Sequence, residues 1–271
     1  MIGPGRVVEA VRDVWPHRGA QAKGLPPGQG LARTFPRFGV HFADPIPAVP
    51  PQPSIEVRGA LAAPFDLPVA ALGEMPRRAL VADFHCVAGW SVRDLRWEGV
   101  PFRTIWEDSI LPKAKPTAEI THLAFVGLDG FKSVLTIEDA LADDVLIADR
   151  LDGAALTGDH GAPARLVSPK QYGYMNTKHL CRIELHPREP VGGWHPSRLR
   201  ASALSLVAPH PRARVEQEER HRHLPAWSIR FAYRRLVLPV LAPLMGARGT
   251  ARASPSCPSS RSGEARGAPR S

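Results

Sequence analysis

The sequence predicts an α+β fold built of mixed β-sheets with short helices. Two observations predict it. Short apolar runs alternate with turn signals across residues 54–207, the pattern of many strands. Helical spacing appears only in brief stretches between them, with no regular strand–helix–strand beat, which favours α+β over a doubly wound parallel sheet.

The elements follow in chain order. SIEVRGA (54–60) alternates apolar and polar like a half-buried strand. ALVADFHCV (79–87) reads as a strand that runs into His85 and Cys86. PFRTIWEDSIL (101–111) places apolar residues at helical spacing behind an N-terminal Pro101. ITHLAFVG and FKSVLTI flank Leu128-Asp129-Gly130, a hairpin signal. EDALA is a helical turn and DVLIADRL a strand. ARLVSP and TKHLCRIELH are two further strands, joined by a Gly/Tyr-rich loop. No internal repeat is visible.

Outside this body the composition changes. Residues 1–53 form an extended Pro/Gly-rich lead-in with little regular structure. Residues 208–245 form a basic C-terminal extension. Within it, 226–245 carries an apolar stripe of Trp227, Phe231, Leu236, Leu238 and Val240 with interleaved arginines. It reads as a short helix packed on its own domain, or one lying on an anionic membrane surface, and Pro239 and Pro243 end it early. Residues 246–271 have almost no large apolar side chain and are expected to be disordered.

Hydrophobic residues make up 44% of the chain, enough for a real core. The net charge of +9 is uneven: residues 1–53 carry +3, residues 54–207 carry −2 and residues 208–271 carry +8. The body is therefore not basic, and a nucleic-acid-binding reading rests on the flanks alone. Three cysteines, Cys86, Cys181 and Cys257, make no disulfide framework, and their scatter fits a reducing compartment. Cys257 falls in the tail and is expected to have no role. No secretory leader or membrane-spanning stretch is visible, and the expected location is cytoplasmic.

Cys86 ends an apolar strand before a Gly-containing turn, a place where a side chain can face a cleft. The alternative is a small buried hydrophobe. His85, His122, His160 and His179 lack zinc-ligand spacing. Arg165 sits on a strand after the turn Gly161-Ala162-Pro163, which suits recognition of a phosphate. The loop from Gln171 to Lys178 can offer backbone N–H groups and one ammonium to an anion, or be an ordinary surface loop. Neither a P-loop nor a dinucleotide fingerprint occurs.

HCVAGWS (85–91), WEGVPFRTIWE (97–107), LDGFKSVLTIEDAL (128–141) and LDGAALTGDHGAPARLVSPKQYGYMNTKHLCRIEL (151–185) occur together in one order. In that order and spacing the chain resembles the molybdopterin-binding domain of the sulfite oxidase family, across roughly 50–190. The nearest likeness is to short bacterial members and to the catalytic subunit of molybdenum-dependent methionine-sulfoxide reductase.

The resemblance implies a sulfite-oxidase-like molybdopterin-binding fold over 54–207. It implies a molybdenum–molybdopterin cofactor, with Cys86 as the metal ligand and catalytic residue. Cofactor contacts fall on Gly127, His160, Arg165, Asn176, Thr177 and Lys178, where Arg165 and Lys178 meet the cofactor phosphate and Gly127 offers only backbone. A soft thiolate suits such a metal. The implied activity is oxygen-atom transfer on a small substrate of the sulfite, sulfoxide or N-oxide type, with a separate electron-transfer partner. Trp90, Trp97, His85 and Arg93 are candidates to line a substrate funnel. Met175 stands where the family usually has Lys or Arg, which takes one positive charge from the expected anion pocket. Alternatives are a basic nucleic-acid-binding protein or a relative that binds cofactor without turnover.

Overall fold

The structure is a computed structural model, and it describes residues 24–37, 46–190, 210–233, 235 and 257. Two sheets carry the fold. In the first, β2 (Ser54–Gly59) pairs antiparallel with β3 (Phe65–Pro68) and parallel with β11 (Leu180–His186). Beyond β11 lie β6 (His122–Gly127) and β7 (Lys132–Thr136), both antiparallel. In β2 the alternation works as the sequence predicts: Ile55 and Val57 are buried while their neighbours are only partly covered.

The second sheet is centred on β5 (Trp90–Pro101). Antiparallel β4 (Arg78–His85) takes one edge of β5. The other edge is shared: two-residue β1 (Gly30–Leu31) pairs parallel with its start, and β8 (Leu146–Leu151) pairs antiparallel with its end. β9 (Ala154–Ala155) and β10 (Arg165–Val167) extend from β8. The long strand β5 is not evident in the sequence, where Arg93, Asp94 and Arg96 break its apolar pattern. Asp94 has a positive φ, and the β4–β5 register shifts between Ala82 and Phe84, so alternation is interrupted where it would be counted.

The main core gathers Ile55, Val57, Leu123, Phe125, Ile183 and Leu185 from the first sheet, and Val100, Ile147 and Leu166 from the second. The helical run 102–114 adds Phe102, Ile105 and Ile110. It opens as α1 (Phe102–Ile105), passes through a wider turn at Trp106–Ile110, and closes as α2 (Leu111–Ala114). α3 (Ile137–Ala140) starts on Thr136, whose hydroxyl accepts from the N–H of Asp139. The last described helix, α4 (Ala226–Ala232), follows Pro225.

Two expectations are corrected. Cys181 and Cys257 form a disulfide, so Cys257 has a structural role and Cys86 is the free cysteine. Sequence spacing does not reveal such a pair, because 76 residues separate its members. On α4, Trp227 and Phe231 face out rather than into the domain, and Ile229 is the buried residue. Leu236, Leu238, Val240 and the expected disorder of 246–271, Cys257 apart, lie outside the described residues.

Candidate functional site

Cys86 sits at the tip of the β4–β5 hairpin. Its N–H donates to the Trp90 carbonyl at 2.8 Å, and its own carbonyl accepts from the N–H of Gly89 at 2.9 Å. Gly89 closes this turn at φ +100°, in the left-handed region. A buried polar chain braces the hairpin. His85 Nδ1 lies 2.7 Å from Ser91 Oγ, Ser91 donates to Gln29 Oε1, and Gln29 Nε2 donates to the Cys86 carbonyl. The residue is buried, 9% exposed, and packs with Ala32, Ala88 and Trp90. Burial pushes its pKa up to about 12, opposed by the Ala88 N–H and by the positive charges of Arg220 and Lys178.

The 157–165 turn supplies the second part of the site. The Thr157 carbonyl accepts from the N–H groups of His160, Gly161 and Ala162. A Cβ at Gly161, where φ is +106°, would meet Lys178. Arg165 has no exposed surface. It donates to the carbonyls of His160 (2.9 Å), Asn176 (3.3 Å) and Leu166 (3.4 Å). Its guanidinium also lies over the Trp97 and Phe84 rings. Among the described residues no carboxylate pairs with it, and burial lowers its pKa to about 9. Lys178 donates to the Asp159 carbonyl at 2.7 Å, and burial together with Arg165 and Arg37 lowers its pKa to about 7. His160 stacks on Phe35, with centroids 4.6 Å apart and planes 6° apart. Its Nδ1 is buried without a hydrogen-bond partner. Burial, Lys178 and Arg165 hold its pKa at about 4, so the imidazole is neutral at pH 7.

A buried Arg165 without a carboxylate partner among the described residues, a half-buried Lys178, an orphaned imidazole nitrogen and a thiol thus share one region. A family model described as the oxidoreductase molybdopterin binding domain matches residues 43–194. The chain belongs to this molybdopterin-binding oxidoreductase family. Among its relatives, an uncharacterized oxidoreductase of Bacillus subtilis is 30% identical over 64% of this chain and 85% of its own length. The catalytic subunit of a protein-methionine-sulfoxide reductase of Gluconobacter oxydans is also 30% identical, over 59% of this chain and 57% of its own. A Xanthomonas axonopodis subunit of the same description is 29% identical over 50% of this chain. The chain spans 46% of that protein's length, so it covers about half of each reductase subunit. A crystal structure of the sulfane dehydrogenase SoxCD from Paracoccus pantotrophus aligns with TM-score 0.44 and 24% identity, over 50% of this chain and 38% of that one.

The residues present fit a molybdopterin. Arg165 is a cation whose burial is costly until an anion meets it, Lys178 adds a second, half-buried positive charge beside it, and His160 Nδ1 has an unused hydrogen-bonding site. The side chains at the other expected contacts are engaged within the protein. Asn176 Oδ1 accepts from the Ser168 N–H and its Nδ2 faces the Ser168 and Tyr172 carbonyls. Thr177 Oγ1 is spent on the Phe125 carbonyl and Ser133 Oγ. Both side chains build the loop. In the same loop the N–H groups of Gln171, Tyr172, Met175, Asn176 and Thr177 have carbonyl partners, which leaves few of them for an anion. Gly127 donates its N–H to the Phe131 carbonyl, and a Cβ there would strike the Lys178 carbonyl and Asp129. Its absent side chain serves close packing.

Met175 is buried in the main core, where it packs as an apolar side chain. Trp90, Trp97 and His85 are buried, and Trp97 is the platform under Arg165, so they do not line an open funnel. Phe35, Gln29 and Arg220 are site components that sequence reading missed. Arg220 is 1% exposed and comes from the basic extension. It donates to the Val87 and Pro27 carbonyls, approaches Glu218 and stacks over Tyr172. The one available signal was Glu218 nearby in sequence, and an i, i+2 charge pair is too common to single out.

Proposed function

We propose that this chain is a molybdenum-dependent oxygen-atom-transfer oxidoreductase acting on a small substrate of the sulfite or sulfoxide type. The observation that carries the reading is Arg165. It is a fully buried guanidinium without a carboxylate partner among the described residues, in one region with Lys178 and Cys86. In this reading Arg165 and Lys178 neutralise the cofactor phosphate, His160 recognises the pterin as a neutral imidazole, and the Cys86 thiolate ligates the metal. The bound molybdenum–pterin supplies the two-electron change and the oxygen-atom acceptance.

The chain's own part is to hold and tune that group. The Gln29–Ser91–His85 chain fixes the hairpin that carries Cys86. Ligation requires loss of the Cys86 proton. Burial opposes that loss, while Arg220 and Lys178 favour the thiolate. Two relatives described as sulfoxide reductase subunits support the substrate class. A separate redox protein then exchanges the electrons.

The basic flank has another use than nucleic acid. Arg214 pairs with Asp139, Arg222 with Glu189, and Arg220 and Arg230 with Glu218. The cytoplasmic location expected from the sequence is a separate proposal that the Cys181–Cys257 disulfide does not favour, since such bonds persist in oxidising compartments.

Molybdenum and pterin analysis of protein made in a cofactor-competent host tests the function. Stoichiometric metal and pterin in the parent, and metal loss in Cys86→Ser, are expected. A parent free of both, or full loading of Cys86→Ser, would sink it. A screen of sulfite, sulfoxides and N-oxides with dye donors and acceptors then fixes substrate and direction.

A further inference from the structure

Helix α4 has two faces with opposite characters. On the inner face, Ile229 is buried, and Tyr233 just past the helix packs against the cluster of Ala32, Cys86, Ala88 and Trp90. Arg230 anchors the same side: its Nη1 meets Glu218 Oε1 at 2.8 Å, and its aliphatic stem covers Gly28. On the outer face Trp227 is 66% exposed and Phe231 60% exposed, four residues apart. Exposed Arg235 follows at the next interval of four, and exposed Leu224 precedes the helix. Residues at i, i+4 and i+8 share one side of a helix. Two large aromatics left in water side by side are unusual, and aromatic residues with arginine are what protein-docking patches are made of.

We infer that the outer face formed by Trp227, Phe231 and Arg235 is the docking surface for an acidic one-electron carrier protein that serves the Cys86 site. This rests on the proposed function. Position is the first support. A carrier seated there is separated from the Cys86 cluster by the width of one helix, about 10–12 Å, with Tyr233 in between. Charge is the second. Residues 210–235 hold seven arginines against three glutamates, while the body 54–207 is net −2. An acidic partner is therefore steered to this side of the chain rather than to the body.

Chemistry is the third support. Moving one oxygen atom moves two electrons. In the reducing direction two reduced carriers give one electron each, two protons come from solvent, and the substrate oxygen leaves as water. In the oxidising direction water supplies the oxygen, two protons are released and two oxidised carriers take one electron each. Of this chain's cysteines, Cys86 is the expected ligand and Cys181 and Cys257 are paired. These 271 residues carry no CxxCH haem signature either, and a one-electron carrier is the co-reactant this proposal names.

The test uses the full holo-chain, an acidic single-haem cytochrome as probe, and the variants Trp227→Ser/Phe231→Ser and Arg235→Glu. The parent is expected to bind the acidic cytochrome and not a basic one, with affinity falling about tenfold between low and near-physiological salt. Each variant is expected to weaken binding about tenfold or more, while turnover with a small dye stays within about twofold of the parent. Unchanged cytochrome binding in both variants overturns the inference. It is also overturned if the parent ignores the cytochrome and instead binds phosphatidylglycerol vesicles, or self-associates, through the same side chains. Dye turnover separates the two claims. A parent without dye turnover overturns the function and the inference with it, whereas dye turnover with variant-insensitive cytochrome binding overturns the inference alone.

Discussion

The guanidinium carbon of Arg165 stands 4.9 Å from the centroid of the Trp97 ring, and the guanidinium N–H groups go to the His160, Asn176 and Leu166 carbonyls. The side chain therefore ties the 157–165 turn to the loop before β11 while it keeps a charge in the interior. Arg165→Lys retains the charge but cannot fork to two carbonyls at once. The carbonyls left without donors should cost about 1–3 kcal/mol of stability. Pterin content should fall about tenfold or more, because the anion loses a bidentate partner. Thermal denaturation and fluorimetric assay of released pterin measure the two effects. Full pterin content in this variant would contradict the assignment.

The two titrating neighbours of Arg165 act with the same sign in two different pH windows. Lys178 has a folded pKa of about 7, well below its unfolded value. From pH 7 upward the unfolded chain holds the extra proton, so cofactor-free protein gains stability as pH rises toward the ordinary lysine range. His160, at about 4, acts in the acid range. Stability is lost as pH falls from the ordinary histidine value toward 4, because the unfolded imidazole protonates first. A bound phosphate restores the Lys178 charge, so cofactor affinity should decline as pH rises above 7. Urea denaturation of cofactor-free protein at about pH 5, 7 and 9 should show rising stability, and Lys178→Met should remove the upper part of the rise.

The site was legible in the sequence only where chemistry depends on residue type. Cys86, Arg165, Lys178 and His160 stand out because a thiol, two cations and an imidazole flank turns. Asn176 and Thr177 look like equal partners from the same motif, yet Asn176 bonds within its own loop and Thr177 bonds to Ser133 and the Phe125 carbonyl on the neighbouring strands. Nothing in their identity distinguishes a side chain that holds a loop from one that faces a ligand. The same limit applies to α4. Large apolar residues suggest the buried face, but at Trp227 and Phe231 the packing is decided by where Tyr233 and Arg230 are anchored. Strand β2 was readable because nothing interrupts its alternation. Strand β5 was not, because a positive φ at Asp94 and a register shift break the period.

The three cysteines should differ in reactivity. Denatured without reductant, the chain should show one titratable thiol, Cys86, and after reduction three. In folded, cofactor-free protein, Cys86 should alkylate slowly at pH 8, since burial holds its thiol neutral with a pKa of about 12. Reduction of Cys181–Cys257 opens a loop of 76 residues, and chain entropy alone assigns such a cross-link about 4 kcal/mol. The melting temperature should therefore fall on reduction. Three free thiols in unreduced, denatured protein would refute the pairing.

Arg220 makes the most distant prediction, because it connects segments far apart in the chain. Its guanidinium donates to Val87 next to Cys86 and to Pro27 in the lead-in, and Glu218 holds both it and Arg230 of α4. Arg220→Met keeps the bulk and removes the donors. Two carbonyls lose their partner, whereas Glu218 keeps Arg230, so the cost should be about 2–3 kcal/mol rather than that of an orphaned charge. Protease sensitivity should appear in 210–225 before the body unfolds. Gly28→Ala attacks the same junction from the other side. Its φ of +69° disfavours any Cβ, and that Cβ would strike the Arg230 stem. If both residues act through one clamp, the double variant should lose less stability than the two single losses together. Additive losses would mean that the lead-in turn and Arg220 hold the Cys86 hairpin independently.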